Sequence, residues 1–358
     1  MSDPLDVEDL RSRVQTALDD HLAYQESRLA ELGPRVSPLV DSIRSLLAGG
    51  KRLRAAFCYW GWRGAGGPSC DGAVQAGAAV EMFQAAALLH DDVMDASDIR
   101  RGLPTAHRRM AALHRDRGWT GSPDRFGTAA AVLAGDLCLA WSDEVLARSG
   151  LPGTQLTAGR DVFDLMRTQL MGGQYLDVLA QALPPSDGGG TTAAARHVIR
   201  FKSAKYTVEH PLLLGGSLAG AGKDLLEAYS AYGLPLGEAF QLRDDLLGVF
   251  GHPDETGKPA GDDLREGKRT MLVAEAFAAA STSQERVLRR RFADPGLDDE
   301  GLAELQQVLV DTGAVRSVEG SITRLAADAR QALAGSTTDQ PARSVLEQLV
   351  DAATVRRT

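Results

Sequence analysis

Cysteine is scarce in this chain: three residues in 358, Cys58, Cys70 and Cys138, lie far apart. An odd count so widely spread suits neither a disulfide framework nor a metal-ligand set, and buried free thiols are expected. Long uninterrupted apolar runs are also missing. Ala76–Leu89 is broken by Glu81 and Gln84, short of the roughly 18–20 apolar residues a membrane span needs. The N-terminus, Met1-Ser2-Asp3-Pro4, lacks the basic-then-apolar order of a signal peptide. A cytoplasmic protein without stable membrane insertion is the expectation. Nor is there an excess of positive charge. The formal net charge of −9 works against nucleic-acid binding.

Strand-like alternation is absent too, whereas apolar residues recur at helical spacing. Val162, Leu165, Met166 and Leu170 form one such set; Leu234, Phe240, Leu246 and Leu247 form another. Gly/Pro/Ser clusters at Gly64–Ser69, Gly118–Pro123, Pro184–Gly190 and His252–Gly261 punctuate the helices. With 44% hydrophobic and 24% charged residues, the chain can bury a sizeable core. The predicted class is all-α, one large helical bundle around a central cavity. Pro184–Gly190 is the best linker candidate, but the most specific motifs fall on both sides of it. A single domain over 1–358 is therefore expected.

Against the acidic background, basic clusters stand out at Lys51-Arg52-Leu53-Arg54, Arg100-Arg101, Arg108-Arg109 and Lys268-Arg269. They suggest a pocket for a small anion. The sharpest motif is Asp91-Asp92-Val93-Met94-Asp95, at the end of an apolar helical run. Asp91 and Asp95, four apart, share a helical face and repel. A hard divalent cation would remove that cost, and Mg²⁺ typically takes one or two carboxylates plus substrate phosphates. A solvated acidic helix end is the plainer alternative. The second motif, Gln241-Leu242-Arg243-Asp244-Asp245, again puts Gln241, Asp244 and Asp245 on one face, with Gly248 where a further Asp would complete the pattern. Carboxylates on a second helix can complete a metal site in a bundle; a surface acidic patch is the alternative.

Gly49-Gly50-Lys51-Arg52-Leu53-Arg54 combines glycines that admit a phosphate with cations that bind it. It has no Walker A spacing, and by itself could be a solvated turn. Phe201-Lys202-Ser203-Ala204-Lys205 lies in a helical stretch, and Gly257-Lys258-Pro259 through Lys268-Arg269-Thr270 in a Gly-rich loop. Such loops often close over a reacting centre, although each lysine alone could be a surface charge. Two acidic helix ends, several cations and an Ala/Leu/Phe run together imply a ligand with a diphosphate head and a hydrocarbon tail.

In order along the chain, these segments, with Gly173-Gln174-Tyr175-Leu176-Asp177, resemble those of the trans-isoprenyl diphosphate synthases, from Gly49 through Thr270. The resemblance implies condensation of isopentenyl diphosphate with an allylic diphosphate (dimethylallyl, geranyl or farnesyl), Mg²⁺ dependence with three ions, and a homodimer. It implies that Lys51, Arg54 and Gln84 clamp isopentenyl diphosphate, with Arg101 shared and Arg100 on the allylic partner. Many relatives have His at the place of Gln84. Asp91, Asp95 and Asp244 match metal ligands; Lys202, Ser203, Gln241, Lys258 and Lys268 match positions around the allylic diphosphate. Gly248 departs from the family pattern and puts one outer carboxylate in doubt. The implied catalytic set is Asp91, Asp95, Lys202, Gln241 and Asp244, with the metal ions and cations stabilising the leaving diphosphate.

A class I terpene cyclase of the same fold is the nearest alternative, but Lys51, Arg54 and Arg101 would give it an unneeded second clamp. A non-catalytic subunit of a heteromeric synthase could have lost Asp91, Asp95 and Asp244, which are intact. In the family, the flank carrying Phe83, Ala86 and Ala87 faces the growing tail. Ala86 and Ala87 are small, and Phe83, about one turn deeper at roughly 5 Å of helical rise, is the expected floor. Ordinary core packing is the alternative for Phe83. Geranylgeranyl diphosphate is the expected product, ahead of the farnesyl and geranylfarnesyl chains.

Overall fold

The computed structural model describes residues 6–183, 190–252 and 260–354, and it is all-α as expected. Strand among the described residues amounts to one antiparallel pair, Ile99–Arg100 with Leu103–Pro104. The chain forms two compact units, Met1–Gly159 with Gly215–Gly220, and Arg160–Leu214 with Ala221–Thr358. Neither border falls at Pro184–Gly190, of which 184–189 lie outside the described residues.

The first unit contains α1 (Leu10–Leu29), α2 (Ser37–Leu47), α3 (Leu53–Gly64), α4 (Asp71–Met94), α5 (Ala106–Asp116) and α6 (Pro123–Ala147). Its axis is α4, which packs on α1, α3 and α6. The helix opens after an extended Cys70, carries Asp71 in its first turn, and runs through alanine and leucine. It ends where Asp95 is still helical and Ala96 turns to φ +53. Ala76, Ala78, Ala79, Val80, Met82 and Phe83 are all buried, and a helix apolar on nearly every side belongs inside a core. By length and composition α4 could cross a membrane, yet 72% of that window is buried within the protein. Cys58 and Cys138 are buried free thiols, as expected, and Cys70 is also free. Burial pushes the Cys58 thiol up to about 12 and raises that of Cys138 as well, so neither is a nucleophile near neutral pH.

The chain continues through α7 (Gly153–Ala182), α8 (Thr192–Val198), α9 (His210–Leu218) and α10 (Lys223–Phe250). The second unit is organised on α10, against which the helix Ala314–Ala334 and the segment Ile199–Glu209 pack. Ile199–Glu209 contains the Phe201–Lys205 lysine motif and is π-helical rather than α-helical. Wider helices of this kind recur at functional sites. Two glycines set its neighbours. A Cβ on Gly173, in α7 (Gly153–Ala182), would stand 2.5 Å from the Lys202 amide nitrogen. One on Gly237 of α10 would stand 2.5 Å from the Ala204 carbonyl oxygen. Only a residue without a side chain lets both helices approach this backbone so closely.

Just past that segment, His210 is buried, with Nε2 3.0 Å from the Gln169 Oε1. Burial outweighs the attraction of Glu209, Lys205 adds to it, and together they pull His210 down to about 4. Between its unfolded value near 6.5 and about 4, the unfolded chain takes up a proton that the folded chain refuses. Stability therefore falls as pH falls through this window, by about 3 kcal/mol at most, with no contribution above it. Urea unfolding across that range should show a smaller acid-side loss in His210→Gln than in the wild type. Equal losses would remove His210 as a cause.

Candidate active site

In the first unit, the acidic end of α4 is met by the arginines that follow it. The Ile99–Arg100/Leu103–Pro104 hairpin turns the chain back, and Arg100 Nε donates to Asp92 Oδ1 at 2.7 Å while Nη2 donates to Asp91 Oδ2 at 3.3 Å. Asp92 is buried; Asp91 and Asp95 are half-buried. Arg101, at φ +53, sends Nη1 to the Leu46 carbonyl at 3.3 Å. The residue is exposed overall, but its guanidinium lies over the glycines of the basic motif: a Cβ on Gly50 would stand 3.1 Å from Nη2. Burial first, then the charges of Arg100, Arg52 and Arg54, hold Arg101 below its usual value, with Glu81 opposing. Such a cationic cluster favours a bound anion.

Arg52 is not part of the anion-facing set. It is 5% exposed, sits at φ +55, pairs with Glu81 at 3.4 Å and donates to the Leu47 carbonyl. Glu81 Oε1 in turn accepts the Ala55 N–H at 3.2 Å. This buried pair anchors the start of α3, and leaves Lys51 exposed and Arg54 half-buried on either side of it. Gln84, one turn before Leu88 on α4, is half-buried.

In the second unit the close approach at Gly173 places Lys202 Nζ 2.6 Å from Asp177 Oδ2. Ser203 follows in the same π-helical segment. On α10, Gln241 Nε2 donates to Asp245 Oδ1 at 2.8 Å, so this i,i+4 pair shares a face as predicted. Asp244 is exposed while Asp245 is buried. Burial, and then the charges of Asp263, Asp244 and Asp177 against the Gln241 hydrogen bond, push Asp245 up to about 8. Lys268 Nζ lies 2.8 Å from Glu266 and 3.5 Å from Asp263. Lys258 lies outside the described residues.

Several residues here stood outside the site set that the resemblance implied. Asp92 anchors Arg100, Glu81 neutralises Arg52, Asp177 holds Lys202, and Asp245 and Asp263 crowd the end of the second motif. Asp177 stood inside the Gly173–Asp177 motif, and the Gly172-Gly173 pair before it was the available signal for a close helix approach.

Among the described residues no three His, Cys, Asp or Glu side chains are drawn together into a metal cage. Mg²⁺ seldom uses one, since phosphate oxygens and water complete its shell. The second unit suits a cation in another respect: Asp245 Oδ2 is buried without a hydrogen-bond partner, in the field of three further carboxylates. A positive ion would offset that desolvated charge.

Comparison with known proteins gives a consistent result. A family model described as polyprenyl synthetase matches residues 37–309. The chain is 31% identical over 318 residues to the geranylfarnesyl diphosphate synthase of Aeropyrum pernix, covering 87% of this chain and 91% of that one. It is 31% identical over 312 residues to the nonaprenyl diphosphate synthase of Mycobacterium tuberculosis, covering 87% and 84%. A crystal structure of geranylgeranyl pyrophosphate synthase from Corynebacterium glutamicum, complexed with isoprenyl diphosphate and magnesium, aligns over 97% of this chain and 99% of its own. The identity is 39% and the TM-score 0.92.

Proposed function

The chain belongs to the polyprenyl synthetase family and is a trans-prenyltransferase, and on that premise we propose that it condenses isopentenyl diphosphate head-to-tail with dimethylallyl, geranyl and farnesyl diphosphates to give geranylgeranyl diphosphate. The observation that carries this reading is the meeting, within the first unit, of Arg101 with the Gly49–Gly50 backbone and of Arg100 with Asp91 and Asp92. It joins an anion-binding turn to an acidic helix end.

In this reading Lys51, Arg54, Gln84 and Arg101 hold isopentenyl diphosphate. Arg100, Lys202, Ser203, Gln241, Lys258 and Lys268 hold the allylic diphosphate. Asp91, Asp95 and Asp244 bind Mg²⁺, in three ions, which when bound offset the negative charge growing on the leaving diphosphate. Lys202 is held by Asp177, and Gln241 by Asp245. The departing diphosphate takes the proton released after the new carbon–carbon bond forms, so no side chain is needed as base. The enzyme is proposed to work in the cytoplasm as a homodimer.

Lys51→Ala should raise KM for isopentenyl diphosphate about 10- to 100-fold, the worth of a charge-assisted hydrogen bond, with KM for the allylic partner nearly unchanged. Steady-state kinetics with each substrate varied in turn would show it, and a defect confined to the allylic side would overturn the clamp. Activity should disappear on chelation and return with Mg²⁺; full turnover in excess chelator would overturn the metal-dependent reading.

A further inference from the structure

The second acidic motif runs Asp244-Asp245-Leu246-Leu247-Gly248 and ends in glycine. On α10, position 248 lies one turn beyond Asp244, so a carboxylate there would share its face. That room is filled from elsewhere in the chain. A Cβ built on Gly248 would lie 2.3 Å from Asp263 Oδ2 and 3.2 Å from Asp263 Cγ. The carboxylate of Asp263 therefore stands where a side chain at 248 would begin.

The backbone holds it there. The Gly261 N–H donates to the Gly248 carbonyl at 3.0 Å, and the Lys268 N–H to the Asp263 carbonyl at 2.9 Å. Leu264, the next residue, is 1% exposed and anchors the short helix Asp262–Arg265 in the core of the second unit. Asp263 Oδ1 faces Lys268 Nζ at 3.5 Å, which leaves Oδ2 on the α10 side. An independent feature adjoins it. Asp245 is 5% exposed, its Oδ1 is taken by Gln241, and its Oδ2 has no hydrogen-bond partner. A buried carboxylate oxygen without a partner beside further carboxylates is costly until a proton or a metal cation neutralises it.

We propose that Asp263 supplies the outer carboxylate that the second acidic motif lacks at Gly248, serving Mg²⁺-dependent diphosphate binding from a different segment of the chain. This rests on the reading of Asp244 as a metal-binding residue. Gly248 is then required, because any side chain there evicts Asp263. Positions 248 and 263 behave as one exchangeable carboxylate.

The test uses the full chain and inorganic diphosphate as probe, with binding followed by calorimetry over a range of Mg²⁺ concentrations. Asp263→Asn and Gly248→Ala should each raise the Mg²⁺ midpoint about tenfold, the scale of one charged partner. The two together should be no worse than either alone. Gly248→Asp combined with Asp263→Asn should recover most of the wild-type midpoint. Asp263→Glu, whose charge is kept, should stay close to wild type and stands in if the asparagine variant fails to fold. An unchanged midpoint in both Asp263→Asn and Gly248→Ala would overturn the proposal. So would a loss of diphosphate affinity equal at every Mg²⁺ concentration, because Asp263 would then serve only to hold Lys268. Failure of Gly248→Asp to rescue would overturn the exchange. Wild-type binding indifferent to Mg²⁺ would sink the metal reading itself, and the wild-type curve alone reveals that case.

Discussion

Replacing Asp91 by alanine is expected to cut condensation about 100- to 1,000-fold, with helicity unchanged. The scale is that of removing a group that stabilises charge developing in a transition state. The structure explains why the fold should survive. Arg100 keeps its 2.7 Å contact with Asp92 when the 3.3 Å contact with Asp91 is lost, so the hairpin stays anchored to α4. Loss of one of two like charges four residues apart also relieves the helix. Asp92→Ala is different in kind, because it removes the buried partner and should loosen Arg100. Steady-state turnover together with circular dichroism measures both quantities. Near wild-type turnover in a fully helical Asp91→Ala protein would show that the carboxylate holds no essential ion.

The other large effect expected is on product length. Phe83 and Ala86 are each 2% exposed and Ala87 is half-buried, all on the helix that carries Asp91. If Phe83 floors the tail cavity, Phe83→Ala should lengthen the product by one isoprene unit or more. Ala87→Phe, one turn nearer Asp91, should shorten it. Phe83→Ala also removes a fully buried ring, which costs about 3–5 kcal/mol whatever the role of Phe83 in the reaction. The assay is therefore run well below the melting temperature of the variant. Chromatography of the dephosphorylated products gives the result. The same chain length from both variants would make Phe83 ordinary core packing and assign the ruler to another element.

The two helices that carry the acidic motifs were legible because their signal is local. Ala, Leu and Met favour helix over each short stretch, and an aspartate pair at four-residue spacing must share a face whatever surrounds it. Which of the two adjacent aspartates in each motif is buried was not legible. In the first motif Asp92 goes inside and meets Arg100; in the second Asp245 goes inside and Asp244 stays exposed. Helical periodicity sets the angle between neighbours, but the neighbouring elements decide which side faces them. The basic turn behaves alike: three cations within four residues looked equivalent, yet Arg52 is buried against Glu81 while Lys51 stays exposed and Arg54 half-buried.

The amino-acid sequence by itself determined the helical class, the order of the motifs and the kind of ligand they suit, since composition and short-range spacing govern all three. Only the tertiary structure decided the pairings across long stretches of chain: Arg101 over Gly50, Lys202 on Asp177, Asp263 against Gly248. Each depends on a glycine that admits a close approach, and a glycine carries no mark of what will approach it. Burial then does the rest, because a charge removed from water must find its partner wherever the fold has placed one.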